Sequence, residues 1–269
     1  MYDFNYHRPS NVAEAASLLA SAEDGTLLAG GQTLIPTLKL RLARPSDVID
    51  LSGIAELSGI KVDGGKVTIG ATTRHADVAA SAEVREAIPA LAALAEMIGD
   101  PQVRNSGSIG GSVANNDPAA DYPAAVLALN ATVETNKRTI AADDFFTGIF
   151  ETALEADEIV TAVSFPVPSK AGYSKFPQPA SRFALVGVMV AETGGGVRVA
   201  VTGAGACVFR VAAMESALGA DFSAQALDGI SVPPDELNSD IHASAEYRAH
   251  LIGVMAKRAV AAAALKGRL

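Results

Sequence analysis

Two glycine-rich segments without lysine most constrain what this chain can fold into. The first, residues 27–36, runs from a short apolar strand through Gly30-Gly31 into a stretch compatible with a helix. The second, residues 104–118, carries glycines at 107, 110 and 111 among hydroxyl and amide side chains. Because glycine lets successive backbone amides approach an anion closely, both segments are suited to hold phosphate groups.

Neither segment is specific alone, because a Gly-Gly turn after a strand is more often purely structural. Together they favour one diphosphate held mainly by backbone donors. Neither matches GxGxxG, and the sequence contains no GxxxxGK[ST], which disfavours a Rossmann nicotinamide site and a P-loop nucleotidase. The residues alone therefore indicate a diphosphate-containing cofactor without naming it.

Composition removes several other kinds of site. A single cysteine, Cys207, in 269 residues excludes an internal disulfide, a cysteine-based zinc site and an iron–sulfur cluster held by this chain alone. The 21 Lys and Arg residues against 30 Asp and Glu give a net charge of −9, so we expect no nucleic-acid partner. The four histidines are not paired at helical spacing, and we expect no metal site.

The N-terminal residues show neither a basic region nor the apolar stretch of a secretion signal. The longest apolar stretches, 123–129 and 259–265, are much shorter than the ~20 residues that span a bilayer. We therefore expect no integral membrane segment and a cytoplasmic location.

The hydrophobic pattern predicts short strands mixed with helices. The predicted strands are residues 26–29, 47–51, 131–136, 157–167, 183–192 and 197–202, with a hairpin over 59–71. The predicted helices are residues 11–22, 72–98 with a break near Pro89, 121–129, 211–218, 223–227 and 244–266. Asn11 and Glu14 are expected to form a capping box, and residues 101–116 to form a loop. The absence of a regular βαβ alternation favours an α+β fold.

Several separated motifs resemble one family. Ala29-Gly30-Gly31-Gln32-Thr33, followed by residues 39–45, resembles the first FAD loop of the flavoprotein (medium) subunits of molybdenum hydroxylases, of the carbon monoxide dehydrogenase and xanthine dehydrogenase type. Residues 99–104 leading into 107–112 are similar to the second FAD loop of that family. Residues 117–121 and 244–248 also fit, so the resemblance extends over essentially the whole chain.

The resemblance implies an α+β fold in two parts. The first is a two-lobed FAD-binding domain of the vanillyl-alcohol-oxidase (PCMH) type over residues 1–168, with subdomains at about 1–55 and 56–168. The second is a small α+β domain over residues 169–269, of the carbon monoxide dehydrogenase flavoprotein C-terminal type. Pro166, Pro168 and Gly172 mark a plausible boundary between them.

By position, the resemblance also implies the residues that hold FAD. The FAD diphosphate would be wrapped by Leu28, Ala29, Gly30, Gly31, Gln32, Thr33, Leu34, Ile35, Ser108, Ile109, Gly110, Gly111 and Ser112, with amide donors at 30–33, 108, 110 and 111. The adenosine part would lie against Asn115, Asp117 and Asp121, and the flavin or adenine against Ile98 and Val160.

Tyr173 and Lys175 match a Tyr-x-Lys segment of the family, and a lysine near the flavin N1–O2 edge would stabilise negative charge on the reduced ring. Alternatives remain for two residues: Asp121 could cap the following helix, and Lys175 could be a solvated strand residue. The sequence departs from the family at Pro177-Gln178-Pro179 and Arg182, so the resemblance does not assign the residues at the outer face of the flavin or at the oxidant site.

The resemblance implies an oxidoreductase subunit that transfers electrons and needs no acid or base catalyst of its own. A molybdopterin cofactor on a large partner subunit and [2Fe–2S] centres on a small one would supply electrons through FAD to NAD⁺, a quinone or O₂. A dimer of heterotrimers is expected. The alternatives are a stand-alone flavin oxidoreductase of the same fold and a non-catalytic assembly subunit. Turnover of a small substrate without partners would identify the first, and FAD titration would test the second.

Overall fold

The structure, a computed structural model, describes residues 1–264. The helices are α1 (Val12–Ser21), α2 (Leu34–Lys39), α3 (His75–Ala80), α4 (Ala82–Ala87), α5 (Pro89–Glu96), α6 (Pro101–Arg104), α7 (Ile109–Asn115), α8 (Tyr122–Ala128), α9 (Ala142–Phe145), α10 (Ala212–Ala220) and α11 (Ala245–Ala263). The strands are β1 (Asn5–His7), β2 (Gly25–Leu28), β3 (Asp47–Asp50), β4 (Ile60–Asp63), β5 (Lys66–Gly70), β6 (Thr132–Thr135), β7 (Thr139–Ala141), β8 (Phe146–Gly148), β9 (Glu151–Thr152), β10 (Val160–Pro166), β11 (Lys170–Pro177), β12 (Ala184–Thr193), β13 (Gly196–Thr202) and β14 (Phe209–Arg210).

The N-terminal strands form a small sheet in the order β1-β3-β2, and both strand pairs are parallel. Helix α1 connects β1 to β2, and α2 lies between β2 and β3. The sequence pattern did not predict this parallel arrangement, because β1 has only three residues, Asn5, Tyr6 and His7, none of them buried. β2 ends at Leu28, within the first glycine-rich segment, so Gly30 and Gly31 follow shortly after the strand.

The second sheet is antiparallel, in the order β4-β5-β10-β6-β7. Its core follows the two-residue period of a strand: Val67 pairs with Phe165 and Ile69 with Val163, and all four side chains are buried. Helix α7 packs against β5 and β10, which fixes the second glycine-rich segment beside this sheet.

The third sheet, β11-β12-β13-β14, has apolar side chains on both faces. Met189 and Ala200 belong to the same core as the second sheet, while Val188 and Val201 pack with helices α10 and α11. Gly172 permits close contact with α11, because a Cβ there would lie 2.0 Å from the Ala259 carbonyl oxygen. None of the helices among residues 1–264 combines the length and apolar character needed to cross a membrane.

Four local predictions need correction. The predicted loop at 101–116 contains α6 and α7, because capping and packing override the low helix propensity of Gly110 and Gly111. The predicted helix at 72–98 is divided into α3, α4 and α5, with breaks at Ser81 and Ile88. At α1, Asn11 caps as predicted, but the Glu14 carboxylate accepts from the amide of Ser10 instead of Asn11.

The fourth correction concerns the predicted helix at 223–227, which is a short 3₁₀ turn, Gln225–Leu227. The predicted end of the last helix at residue 266 lies outside the described residues.

Candidate functional site

Both glycine-rich segments line one cavity of about 560 Å³. This volume is within the range of about 300–1,000 Å³ that is typical of small-molecule and cofactor sites. The predicted site residues that line it are Ala29, Gly30, Gly31, Gln32, Thr33, Leu34, Ile98, Ser108, Gly110, Gly111, Ser112, Asn115, Asp117, Asp121 and Val160. The fold therefore brings residues from β2, α2, α7 and β10 to one place.

Five predicted site residues do not line the cavity. Leu28 and Ile35 lie behind the first loop, where a Cβ on Gly31 would be 3.3 Å and 2.6 Å from their Cδ1 atoms. Ile109 is fully buried in the core of the second sheet. Tyr173 and Lys175 lie behind Asp121. These residues support the cavity wall from behind.

The lining also contains residues that the sequence interpretation missed. They are Thr26, Leu27, Thr37, Leu51, Ala71, Thr72, His75, Gly99, Val103, Gly107, Ala114, Ala120, Ile159, Ser181, Arg182 and Phe183. Some of these residues line the cavity because the chain around His75 pairs with the second loop. The amide of His75 donates to Gly107 O at 2.9 Å. No local sequence pattern marks that long-range pairing.

The first loop presents a row of free backbone donors. Among residues 1–264, no acceptor takes the amide hydrogens of five consecutive residues, 30–34, whereas the next amide, that of Ile35, donates to Gly31 O at 3.1 Å. Gly31 has a φ of 70°, a conformation that suits glycine. Consecutive free amides of this kind form a binding site for anionic oxygens.

The two loops are in direct contact at Gly30. A Cβ on this residue would lie 2.2 Å from the backbone oxygen of Ser106, so only glycine fits without displacing the second loop. The Ser106 hydroxyl donates to the Gly30 carbonyl oxygen at 2.8 Å. The relative position of the loops is therefore fixed by the protein itself.

The second loop ends in the first turn of α7, where Ser108 Oγ accepts from the amide of Gly111 at 3.3 Å. The amide of Gly110 donates to Ala71 O at 2.8 Å, so neither Gly110 nor Gly111 offers the free amide donor that was predicted there. Gly110 instead permits close packing, because a Cβ there would lie 2.5 Å from Ala71 Cβ.

Gly111 differs from Gly110, because a Cβ on it would point into the space between the loops. Among residues 1–264, the atoms it would meet within 4 Å are Ser108 Oγ, at 3.1 Å, and Ala29 Cβ, at 3.9 Å. The missing side chain therefore leaves a cradle between the loops that a larger residue would fill. The free amides of the first loop lie in the wall of the same cavity.

Asp121 is held by two side chains behind the cavity. Lys175 Nζ lies 2.8 Å from Asp121 Oδ2 and donates to Met97 O at 3.0 Å, and the Tyr173 hydroxyl donates to Asp121 Oδ1. The side chains of Lys175 and Asp121 are only 2% and 4% exposed. Burial raises the pKa of the Asp121 carboxyl, and the ammonium of Lys175 opposes this effect.

These contacts exclude the two structural alternatives. Asp121 makes no side-chain hydrogen bond to the first turn of α8, so it is not a helix cap within the described structure. Lys175 is not a solvated strand residue, because its ammonium is buried and bonded.

His75 lies beneath the second loop. A Cβ on Gly107 would be 2.7 Å from His75 Nε2, which places the ring directly against the loop backbone. Burial, aided by the positive charge of Arg104, lowers the pKa of His75 to about 4. His75 is therefore neutral at physiological pH, and its Nδ1 has no partner among the described residues.

The turn between β11 and β12 contributes Ser181, Arg182 and Phe183 to the cavity. Gln178 Oε1 organises this turn by accepting from the amides of Ala180, at 2.6 Å, and Ser181, at 2.7 Å. Arg182 has a φ of 63°, a conformation that costs energy for a residue with a side chain. Of the positions where the sequence departs from the family, Arg182 therefore lines the cavity and Pro177-Gln178-Pro179 do not.

Among residues 1–264, no group of three or more His, Cys, Asp or Glu side chains is arranged to hold a metal ion. The polar lining of the cavity consists of backbone amides, hydroxyls, the side chains of Gln32, His75, Asn115 and Arg182, and the carboxylates of Asp117 and Asp121.

Comparison with known proteins identifies the family. A sequence model described as "FAD binding domain in molybdopterin dehydrogenase" matches residues 2–168. The chain is 38% identical over 269 residues to the nicotine 6-hydroxylase medium subunit of Paenarthrobacter nicotinovorans, covering 95% of each protein. It is 35% identical over 277 residues to the carbon monoxide dehydrogenase medium chain of Hydrogenophaga pseudoflava, covering 97% of this chain and 96% of the relative.

Solved structures agree with these matches. A chain of carbon monoxide dehydrogenase from Hydrogenophaga pseudoflava superposes with a TM-score of 0.87 at 37% identity, covering 98% of both chains. A chain of quinoline 2-oxidoreductase from Pseudomonas putida 86 gives a TM-score of 0.88 at 27% identity, covering 99% of both chains. The expected α+β fold with a PCMH-type FAD-binding domain is confirmed, and the protein belongs to the family of FAD-binding medium subunits of molybdenum hydroxylases, an oxidoreductase family.

Proposed function

We propose that the cavity holds one FAD, through which the chain passes electrons from [2Fe–2S] centres of a small partner subunit to an external acceptor. The large subunit of the complex would carry the molybdopterin cofactor. The observation that carries this proposal is the row of five free amides, residues 30–34, in the wall of one cavity with the Gly111 cradle.

The residues present fit FAD. The free amides of the first loop suit a diphosphate, and the cradle at Gly111 leaves room for it between the loops. The hydroxyls of Thr33 and Ser112 can donate to further oxygens, while Ile98 and Val160 offer apolar surface to an aromatic ring. When bound, FAD supplies two-electron redox chemistry that no side chain of the protein can provide.

The residues of this chain act by binding and positioning. Asp121 is fixed at the cavity wall by Lys175 and Tyr173, which suits it to accept a hydrogen bond from a hydroxyl or ring NH of the cofactor. His75 is neutral and supports the second loop from below. No proton transfer by the protein is required, in agreement with a site that only stores and passes on electrons.

We further propose that the FAD-binding domain ends near residue 168 and is followed by a separate C-terminal domain. The match to the family model ends at 168, and the third sheet begins at Lys170. The relatives named medium subunit or medium chain support assembly with a large and a small subunit. We propose a dimer of such heterotrimers, with NAD⁺, a quinone or O₂ as the acceptor.

Titration of the cofactor-free chain with FAD tests the proposal. We expect one FAD per chain, with the visible absorption of a bound flavin and neither molybdenum nor iron in the purified chain. A chain that takes up no FAD would refute the proposal and favour an assembly subunit. Oxidation of a small substrate by the isolated flavin-loaded chain, without partner subunits, would favour the stand-alone oxidoreductase.

The electron route is tested in the assembled complex. Substrate should reduce the flavin only when the [2Fe–2S] subunit is present, and NAD⁺, a quinone or O₂ supplied in turn should reoxidise it at different rates. Flavin reduction at the same rate without the iron–sulfur subunit would contradict the proposed route.

A further inference from the structure

We propose that Arg248 of helix α11, which does not line the cavity, is a positioning residue for the FAD site. This inference rests on the proposed function. The connection runs from Arg248 to the ends of strands β12 and β13, and from those ends to the segment 118–120 that leads into Asp121.

The guanidinium of Arg248 is buried and bonded on both outer nitrogens. Nη1 donates to Leu185 O at 2.7 Å and to Gly203 O at 2.9 Å, and Nη2 lies 2.7 Å from Asp240 Oδ2. The side chain is 3% exposed. The planar fork of arginine, with its several donors, can satisfy two carbonyls and a carboxylate at once, which the single ammonium of lysine does less well.

The two carbonyls meet where β12 begins and β13 has just ended. Gly203 has a φ of 82°, and a Cβ on it would lie 2.4 Å from Ala184 O and 2.9 Å from Leu185 O. The backbones are therefore as close as glycine allows. Buried carbonyl oxygens need hydrogen-bond donors, and Arg248 Nη1 donates to both of these.

The same strand ends hold the cavity wall. The Thr202 hydroxyl lies 2.6 Å from Ala120 O and 3.1 Å from Pro118 O, and the Gly203 amide donates to Pro118 O at 2.8 Å. From the other strand, the Ala184 amide donates to Ala119 O at 3.3 Å. Segment 118–120 is thus fixed to the two strand ends that Arg248 joins.

This segment lies within the candidate FAD site. Asp117, Ala120 and Asp121 line the cavity, and so do residues 181–183, which lead directly into β12. Loss of Arg248 would remove the donor that Leu185 O and Gly203 O share and would loosen both parts of this wall. We therefore expect a loss of FAD affinity in a chain that remains folded.

The test compares two buried arginines of the full-length chain, each replaced by methionine. Arg198 is the matched control: it is 8% exposed, lies on β13, donates to Asn130 Oδ1 at 2.9 Å and pairs with Asp143, but does not line the cavity. FAD affinity is measured by titration and stability by thermal unfolding without FAD. We expect Arg248→Met to weaken FAD binding about tenfold and Arg198→Met by less than about twofold, although both lower the Tm.

A double-mutant cycle with Thr202→Val tests the route itself. Because Thr202 and Arg248 act on the same wall, their effects on FAD affinity should be less than additive. Arg248→Lys should bind FAD more tightly than Arg248→Met and should recover part of the visible circular dichroism of the bound flavin. A general loss of stability would not change these two flavin signals selectively. If Arg248→Met does not fold, Arg248→Lys and Thr202→Val still test the inference by their FAD affinities.

Two results would overturn the inference. One is wild-type FAD affinity in a folded Arg248 variant. The other is an equal loss of affinity in the Arg248→Met and Arg198→Met chains, which would show a general effect of destabilisation. Failure of the wild-type chain to bind FAD would instead contradict the proposed function, so the two failures are distinguishable.

Discussion

Lys175 and Asp121, the second of which lines the cavity, form a buried ion pair with Nζ and Oδ2 2.8 Å apart. The two residues come from β11 and from the start of α8, so the pair joins the third sheet to the segment that carries the site. A buried pair of this kind gives little net stability compared with an apolar pair, but removing one partner leaves an uncompensated charge. The pair therefore fixes the orientation of Asp121 more than it stabilises the chain.

Replacing Lys175 by methionine should destabilise the chain by about 3 kcal/mol, since the Asp121 carboxylate loses its buried counter-charge. Urea unfolding of the cofactor-free chain measures this change. The matched control is Lys61→Met, which breaks an exposed pair with Asp63 and should cost less than about 1 kcal/mol. Equal losses in the two variants would contradict the role given to the buried pair.

The depressed pKa of His75, about 4 against a usual value of 6.5, makes stability depend on pH. As the pH falls below 6.5 the unfolded chain takes up a proton that the folded chain refuses until about pH 4. His75 therefore does not lower the free energy of unfolding above about pH 6.5. As the pH falls from 6.5 to 4, the free energy of unfolding decreases by about 3 kcal/mol in total.

Unfolding measured in urea at pH 7 and at pH 4.5 isolates this contribution. In the His75→Gln variant the fall in stability between the two pH values should be clearly smaller than in the wild-type chain. The matched control is His242→Gln, at an exposed position. An unaltered pH dependence in the His75 variant would show that this ring is not held neutral.

The sequence was sufficient to predict the family, the fold class and 15 of the 31 residues that line the cavity, because the glycine loops and the Asp121 segment are contiguous motifs. The position of α7 was missed for a physical reason: Gly110 and Gly111 have low helix propensity, and the helix exists because Ser108 caps it and β5 and β10 pack against it.

What the sequence could not show are contacts between distant segments. The amide of Gly110 donates to Ala71 O, and His75 lies beneath Gly107, because of how α3 packs beside the second loop. The Lys175 side chain points to Asp121 and Met97 O because the third sheet packs behind α8. Local patterns contain no signal for such pairings, which tertiary packing alone decides.

Gly111→Val should weaken FAD binding by at least about tenfold, because its side chain would fill the cradle between the loops and overpacking of this kind typically costs 1–3 kcal/mol. FAD titration measures the effect. Gly219→Val is the matched control: Gly219 is also helical, and a Cβ there meets no atom of the described residues within 4 Å. Wild-type affinity in the Gly111 variant would show that the diphosphate does not use this space.

Gly30→Ala tests whether the contact between the loops is needed for the fold. The new Cβ would lie 2.2 Å from Ser106 O and 2.6 Å from Gly107 Cα, and backbone atoms cannot rotate away as a flexible side chain can. We expect a loss of about 2 kcal/mol in the free energy of unfolding without FAD, as for other overpacked positions. Gly194→Ala, where a Cβ has no neighbour within 4 Å in the part of the chain that the structure describes, should change stability by less than about 0.5 kcal/mol. If the two variants unfold at the same urea concentration, the loops are not held together at Gly30 in solution, and the row of amides that follows it is not preformed.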